Sequence, residues 1–494
     1  MNLTGKELLE KSKTWGLYII CILYIGLNAY LVRRDFYWGL VFPVFLILLY
    51  LYLYKLDIVL LLITFLTPLA ITISDSEFGV AMSFPTEPMM FGILILFLIK
   101  LSYEHTFDKT ILKHPLTIII ILNLVWIFIT CLTSDIQIVS FKFLIARLWC
   151  VVPFYFMGVY LFRKLSNVKL FIWLYTIPLL GVIGYTTYNH YLWGFDELAG
   201  HWVMYPFYND HTAYGAVLTM YIPIFAAFTF TKIYSRTIRV FCFLVLAILM
   251  MALVLSFSRA AWVSLAFSIC VLLLVLFRIK FKWLVLTLII LAGLFYLFQN
   301  DIWDKLEKNK QGTSANFVEH IQSISNISTD ASNLERINRW ESAIRMFHTR
   351  PVFGFGPGTY QFEYGPYQQS MEKTKISTDF GDRGNAHSEY IGPLSESGML
   401  GLLFMVAIVV YTIVIGLRVY KKAESREIKY ISLSILLGLI TYFFHGTMND
   451  FLDSDKASVP FWGFISILVA FDLYWIRKKP KEIVANDISS AENL

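Results

Sequence analysis

Charge is scarce in this chain. Asp, Glu, Lys and Arg make up only 15% of its 494 residues, whereas 57% are hydrophobic. A soluble domain has too little interior to hide so much apolar surface, so the composition points to a polytopic membrane protein. Cysteine is scarcer still, and Cys21, Cys131, Cys150, Cys242 and Cys270 all lie in apolar stretches. That placement argues against a disulfide framework and against a thiolate metal cluster. HExxH, HxH and CxxC spacings are absent, so no metal is expected. The glycine-rich GFGPG (354–358) lacks the lysine of a phosphate loop and reads as a tight turn, and no nucleophile elbow supports Ser-His-Asp hydrolysis. The net charge of +6 is spread between hydrophobic spans and forms no single patch, which excludes nucleic acid as a partner. The first apolar run has no small-residue cleavage site and is followed by further spans, so it reads as an anchor.

What is present is a succession of apolar runs long enough to cross a bilayer. Fourteen can be drawn, at 15–32, 36–54, 56–73, 88–101, 115–133, 137–161, 169–187, 209–231, 238–256, 260–277, 283–299, 388–416, 428–446 and 459–476. The short fourth run also fits a re-entrant segment. The expected fold is therefore an all-α integral membrane bundle of about 12–14 helices. Connectors alternate in charge: Lys109/Lys113, Lys232/Arg236/Arg239 and Arg418/Lys421/Lys422 belong to one set, while 74–87 and 188–208 contain no Lys or Arg. By the positive-inside rule the basic set is cytoplasmic, as are both termini. The organisation expected is N-terminal helices over 1–204, further membrane helices over 205–299 and an extracytoplasmic loop over 300–387. C-terminal helices follow over 388–476, with a cytoplasmic tail over 477–494. Within the loop, Ser332 and Glu335 read as a capping box and Pro351 as a stop. Between them Ile337, Trp340, Ile344 and Phe347 recur at helical spacing, an apolar face expected to pack on the membrane domain.

Several polar residues stand out against this background. Arg259, in SFSRAAW, sits in a very short outer connector, where it fits either snorkelling to lipid phosphate or binding an anion in a cavity. Arg336 lies one turn before Trp340 with Arg339 beside it, and solvated surface arginine is the ordinary reading of both. Lys142 and Arg147 fall inside an apolar run, where a charge costs roughly 2.5–3.5 kcal/mol on insertion scales; such residues usually face a polar cavity. His211, His387 and His445 lie at outer helix ends. His387 is distinguished by its company, a polar loop with Glu389 and Glu396 close by, and by an imidazole that can take a proton near neutral pH. Pro393, just beyond it, is expected to kink the helix start.

Arginines and a histidine facing one compartment suit the binding of an anion beside a proton acceptor. Outside the cytoplasm there is no nucleotide supply, so an activated donor must arrive in the membrane. A lipid-linked diphosphate meets that need. Its leaving group requires charge neutralisation, which arginine supplies bidentately, and the acceptor hydroxyl benefits from a general base.

Three blocks, SFSRAAW (256–262), ERINRWESAIRMFHTRPVFGFGPGTY (335–360) and NAHSEYIGPLSESGMLGLL (385–403), resemble the bacterial O-antigen ligase family, and NDHTAYGAVL (209–218) resembles the segment opening that family's conserved half. The resemblance runs from about 205 to 450; residues before it are similar only in hydropathy. It implies a cofactor-free, metal-independent inverting glycosyltransferase of the inner membrane, with its active site facing the periplasm. Arg259 and Arg336 would hold an undecaprenyl-diphosphate-linked glycan, and His387 would activate a hydroxyl of lipid A-core. Arg339, Lys142, Arg147, His211 and Glu396 are expected as secondary substrate-binding residues, with a structural role fitting Lys142 and Arg147 equally and Glu396 slightly better. Polysaccharide polymerases and protein O-oligosaccharyltransferases share this chemistry with other acceptors. A flippase would instead string charges through its span interiors, and a non-catalytic scaffold leaves the arginines and histidine without purpose.

Overall fold

The computed structural model describes residues 5–75, 80–104, 108–278, 331–374, 377 and 384–477. It divides into two units, Met1–Val59 and Leu60–Leu494. The first carries α1 (Gly5–Val32), a 3₁₀ turn (Trp38–Val41) and α2 (Phe42–Tyr54). Large apolar side chains such as Ile20, Leu23 and Ile47 are exposed along these helices, as lipid-facing surfaces require. Asn28 is buried there, its Nδ2 donating to the Tyr24 carbonyl at 3.0 Å.

α3 (Leu56–Leu66), whose residues from Leu60 on belong to the second unit, ends in the turn Thr67–Leu69, where Pro68 cannot continue the hydrogen-bond ladder. In the second unit, β1 (Ile71–Asp75) and β2 (Val80–Phe84) pair antiparallel, with Ile71 opposite Phe84 and Asp75 opposite Val80. There follow α4 (Thr86–Glu104), α5 (Pro115–Leu132), α6 (Gln137–Leu161), α7 (Leu165–Leu192), α8 (His211–Phe230), α9 (Arg236–Leu255) and α10 (Arg259–Leu276). Then come α11 (Ala331–Thr349), α12 (Ile391–Lys422), α13 (Arg426–His445) and α14 (Asp455–Arg477).

Among the described residues ten helices, α4–α10 and α12–α14, are long and apolar enough to cross a membrane. The fold is an all-α polytopic membrane bundle. Two of the fourteen apolar runs become shorter helices, Trp38–Tyr54 and Leu56–Leu69, whereas the run at 15–32 lies wholly within α1. The run at 283–299 lies outside the described residues. The fourth run is a full-length helix because Thr86 and Glu87 before it, and Ser102 after it, continue the helical turns.

Burial ranks the helices. In α13 and α14, 83% and 89% of the apolar window is buried, against 28% in α9 and α10, so the former pair is central and the latter face lipid. Polar groups in the interior satisfy backbone freed by breaks. Lys456, buried at the start of α14, donates from Nζ to the carbonyls of Thr67 and Ala70, released where α3 stops.

The kink expected at Pro393 falls elsewhere. Pro393 occupies the first turn of α12, where a missing N–H costs nothing. The break is at Gly398, with φ 69° and ψ −167°. The carbonyls it frees find new donors: Phe355 N–H to Ser395 O at 3.2 Å, Gly356 N–H to Glu396 O at 2.8 Å, and the Trp126 indole N–H to Ser397 O at 2.8 Å. Met399 N–H in turn donates to Pro351 O at 3.0 Å. The glycines of the 354–358 turn fit this docking, since Gly354, Gly356 and Gly358 all have positive φ.

As expected, α11 packs on a membrane helix, α12, with Trp340, Ile344 and Phe347 half-buried, but its most deeply buried face is a different one. Ile337 is exposed, and the buried residues are Glu335, Asn338, Arg339, Ser342, Ala343 and Met346. The reason is that α11 covers the loop's own returning chain, a small core of Ala343, Met346, Phe355, Tyr360, Tyr364 and Ala386. Polar groups on the buried face tie that chain down. The Ser332 side chain lies outside the described residues.

Candidate functional site

At one end of the second unit the start of α8 meets the turn into α10, with Gly215 against Ser258 and Ala261. The start of α12 meets the end of α13, where Glu389 N–H donates to Gly446 O at 2.8 Å and Tyr390 OH to Phe443 O at 2.9 Å. α8 starts at an N-cap, Asp210, whose Oδ1 accepts from Thr212 N–H at 2.9 Å. The same carboxylate pairs with His211 Nδ1 at 3.1 Å. These donors hold the Asp210 carboxyl well below the usual range despite its burial. His211 stacks on His201, ring centroids 4.3 Å apart and nearly parallel. Burial, followed by the neighbouring His211, lowers the His201 pKa.

The turn into α10 is capped by Ser258, which accepts from Ala261 N–H at 3.4 Å. Gly215 lets α8 approach this turn: a Cβ there would meet those of Ser258 and Ala261 at 2.9 Å. Arg259 follows the cap directly. A cation in the first turn opposes the helix dipole, so its placement makes sense when an anion shares the position. Arg259 lies within electrostatic range of His201.

Arg336 and Arg339 are set by α11. Arg339 is buried, its Nε on Glu335 Oε1 at 2.9 Å and its Nη1 on Asn385 O at 3.0 Å. Glu335 also accepts from Thr374 Oγ1 at 2.9 Å and from Ser377 Oγ, so one ion pair gathers both strands of the loop. Arg339 leaves no room for a side chain at Gly384, where a Cβ would sit 1.7 Å from its Nη1.

The clamp delivers His387. This residue has φ 50°, the left-handed region. Its N–H donates to Asn385 Oδ1 at 3.2 Å and its carbonyl accepts from Trp340 Nε1 at 3.4 Å. The imidazole is pushed down from its ordinary value to about 4, first by burial and then by the charges of Arg339 and Arg336. Arg336 and Asp210 both lie within electrostatic range of His387 and of His445, whose Nε2 is 3.1 Å from Asn449 Nδ2. Arg336, Arg339, Asp210, His387 and His445, from four segments, therefore gather at one end of the second unit.

The remaining residues singled out in the sequence sit differently. Glu396 accepts from Tyr360 N–H at 3.0 Å and holds the 354–360 turn. Glu389 is buried, and its Oε1 accepts from Tyr442 OH at 2.6 Å and from Phe451 and Leu452 N–H at 2.9 Å each, pinning the loop before α14. Arg147 reaches Asp453 at 3.3 Å, lies over the Phe143 ring, and is within electrostatic range of Glu389 and Glu396. Lys142 is exposed on α6. Among the described residues no three His, Cys, Asp or Glu side chains are grouped to hold a metal.

Sequence reasoning assigned no role to Asp210, His201 or His445, and it read Glu335 only as a helix cap, whereas its carboxylate grips Arg339, Thr374 and Ser377. Asp210 carries a signal, since an Asp ahead of an apolar run is an N-cap pattern. The others meet the site only through the tertiary fold.

Fold and site together define a multi-pass helical membrane protein with an arginine- and histidine-lined site at one end of its bundle. Residues 242–406, about a third of the chain, match the model of a family described as O-antigen ligase. The three blocks at 256–262, 335–360 and 385–403 all fall inside the match. It supports an O-antigen ligase- or polymerase-like function in general. No curated protein matches the chain.

Proposed function

We propose that this protein is a metal-independent, inverting glycosyltransferase of the bacterial inner membrane. It moves a glycan from an undecaprenyl-diphosphate carrier to a hydroxyl of lipid A-core on the periplasmic face. The observation that carries the reading is the convergence of Arg336 and His387, from α11 and the returning loop, at the end of the bundle where Arg259 opens α10.

The chemistry follows from the charges. Arg259 and Arg336 neutralise the diphosphate as it leaves, each able to grip phosphate oxygens with a planar fork of donors. His387 removes the proton of the acceptor hydroxyl, which attacks the anomeric carbon from the side opposite the leaving group and inverts it. An imidazole pushed down to about 4 is neutral at pH 7 and free to accept a proton, but a weak base. Donor binding corrects the weakness. Two of the causes that depress His387 are the charges of Arg339 and Arg336, and a diphosphate seated on Arg336 offsets them and raises the imidazole pKa. The base is thus strengthened when the donor is in place.

Reconstitution with an undecaprenyl-diphosphate glycan and lipid A-core tests the reading. Transfer should fall by about 10²–10⁴ in His387→Asn, the range general-base catalysis supplies. Undiminished transfer in His387→Asn, Arg336→Gln and Arg259→Gln alike would remove the site assignment. A polymeric product on the carrier, with none on lipid A-core, would replace the acceptor and leave the donor chemistry intact.

A further inference from the structure

At the opposite end of the second unit, α12 and α14 finish side by side around an open pocket of about 740 Å³, lined by Arg418, Lys422, Asp472, Ile476 and Arg477. Its floor is Asp472, fully buried. Its Oδ2 takes three partners, Arg477 Nη2 at 2.7 Å, His114 Nε2 at 3.3 Å and Arg418 Nη1 at 3.5 Å. The arginines at the mouth are different: their side chains remain 37% and 44% exposed for Arg418 and Arg477. Each guanidinium carries five N–H donors, so contact with one carboxylate oxygen leaves most of them for something else. Lys422 adds a third cation. Three cations against one carboxylate leave the mouth positive.

Both helices end here, and the dipole at a helix C-terminus disfavours an anion by a few-fold at each end. Three basic side chains at an interface outweigh that. One of them would balance Asp472, and the two in excess need a counterion.

Surface continuity identifies the counterion's source. Leu400, Leu403, Tyr411 and Val414 are exposed along α12, and Arg418 and Lys422 continue the same stripe at spacings of three, four and seven to eight residues. From Asp455 to Arg477 the chain covers roughly 30 Å, the thickness of a hydrocarbon core, so the pocket sits at headgroup depth. A free phosphate would use the cations but not the apolar stripe or the Ile476 wall. A phospholipid uses both, its headgroup in the pocket and an acyl chain along α12.

We infer that this pocket binds the phosphodiester headgroup of an anionic membrane phospholipid, at a site separate from the His387 end. The full-length protein, exchanged into nanodiscs and examined by native mass spectrometry, should retain phosphatidylglycerol in preference to phosphatidylcholine. Phosphatidylglycerol, unlike inorganic phosphate, should also raise its melting temperature. Arg477→Gln and Lys422→Gln should each weaken phosphatidylglycerol binding about fivefold, the effect of one basic side chain near an anionic surface, and Lys422→Arg should preserve it. Lys422→Gln leaves the Asp472 ion pairs in place, so a folding defect in Arg477→Gln does not remove the test. Equal retention of both lipids, or unchanged binding in Lys422→Gln, would overturn the inference. Stabilisation by inorganic phosphate equal to that by phosphatidylglycerol would overturn the lipid as its source.

Discussion

His387 pairs a left-handed backbone with a ring held neutral. The ring is held neutral first by burial and then by the charges of Arg339 and Arg336, which the Glu335–Arg339 clamp sets beside the returning loop. The pH dependence follows. Because the folded pKa is lowered from 6.5 to about 4, folded and unfolded states bind protons alike above pH 6.5. As pH falls from 6.5 towards 4, the unfolded chain takes up the proton first, so this residue costs stability progressively in that window. For activity, kcat/KM reports the unliganded protein and should keep its acid limb well below pH 6. kcat reports the donor complex, and its limb should lie higher. Arg336→Gln removes one of the charges depressing the ring, so the kcat/KM limb should move to higher pH; an unmoved limb would detach Arg336 from His387. Asn is the replacement of choice at 387, since it tolerates positive φ and removes the base without straining the turn.

Among the elements, α12 decides where the site stands. Its break at Gly398 lies where a Cβ would be 2.0 Å from Val352 O, in a conformation other residues rarely adopt. Gly398→Ala should therefore cost more than the ~1–3 kcal/mol of backbone strain alone and lower the thermal midpoint sharply. Glu389 separates two roles in the same region. Glu389→Gln keeps an oxygen for Tyr442, Phe451 and Leu452 and should be close to wild type. Glu389→Ala strands Tyr442 OH and Leu452 N–H in a buried place, at about 1–3 kcal/mol each, while Phe451 N–H keeps Tyr442 OH at 3.2 Å, and should unfold earlier without any specific effect on His387. The same elements mark what a sequence yields. Hydropathy located the spans, because an apolar run of membrane length has few other uses. The GFGPG turn was legible from its glycines. The kink position was not: Pro393 looks like the breaker, and Gly398 breaks the helix only because Pro351, Phe355, Gly356 and Trp126 arrive to take its freed groups. Likewise, the buried face of α11 is chosen by Arg339 and Glu335 gripping the returning loop, a contact that apolar periodicity cannot register.

For the molecule as a whole, the two ends of the second unit differ in charge logic, and that difference bears on the chemistry. One end gathers Arg259, Arg336, His387 and His445; the other has the basic pocket around Asp472. If the positive-inside rule sets the orientation, the His387 end faces away from the cytoplasm, and only a membrane-borne donor can reach it. Met371, 91% exposed in the loop between α11 and α12, and Lys421, exposed at the far end of α12, are reporters for the two sides. In a background with Cys21 and Cys270 replaced, Met371→Cys should react with a membrane-impermeant maleimide in intact cells, and Lys421→Cys only after permeabilisation. The opposite pattern would put the His387 end in the cytoplasm, where nucleotide-activated sugars are available. It would then remove the argument for a lipid-carried diphosphate while leaving the arrangement of Arg336 and His387 unchanged.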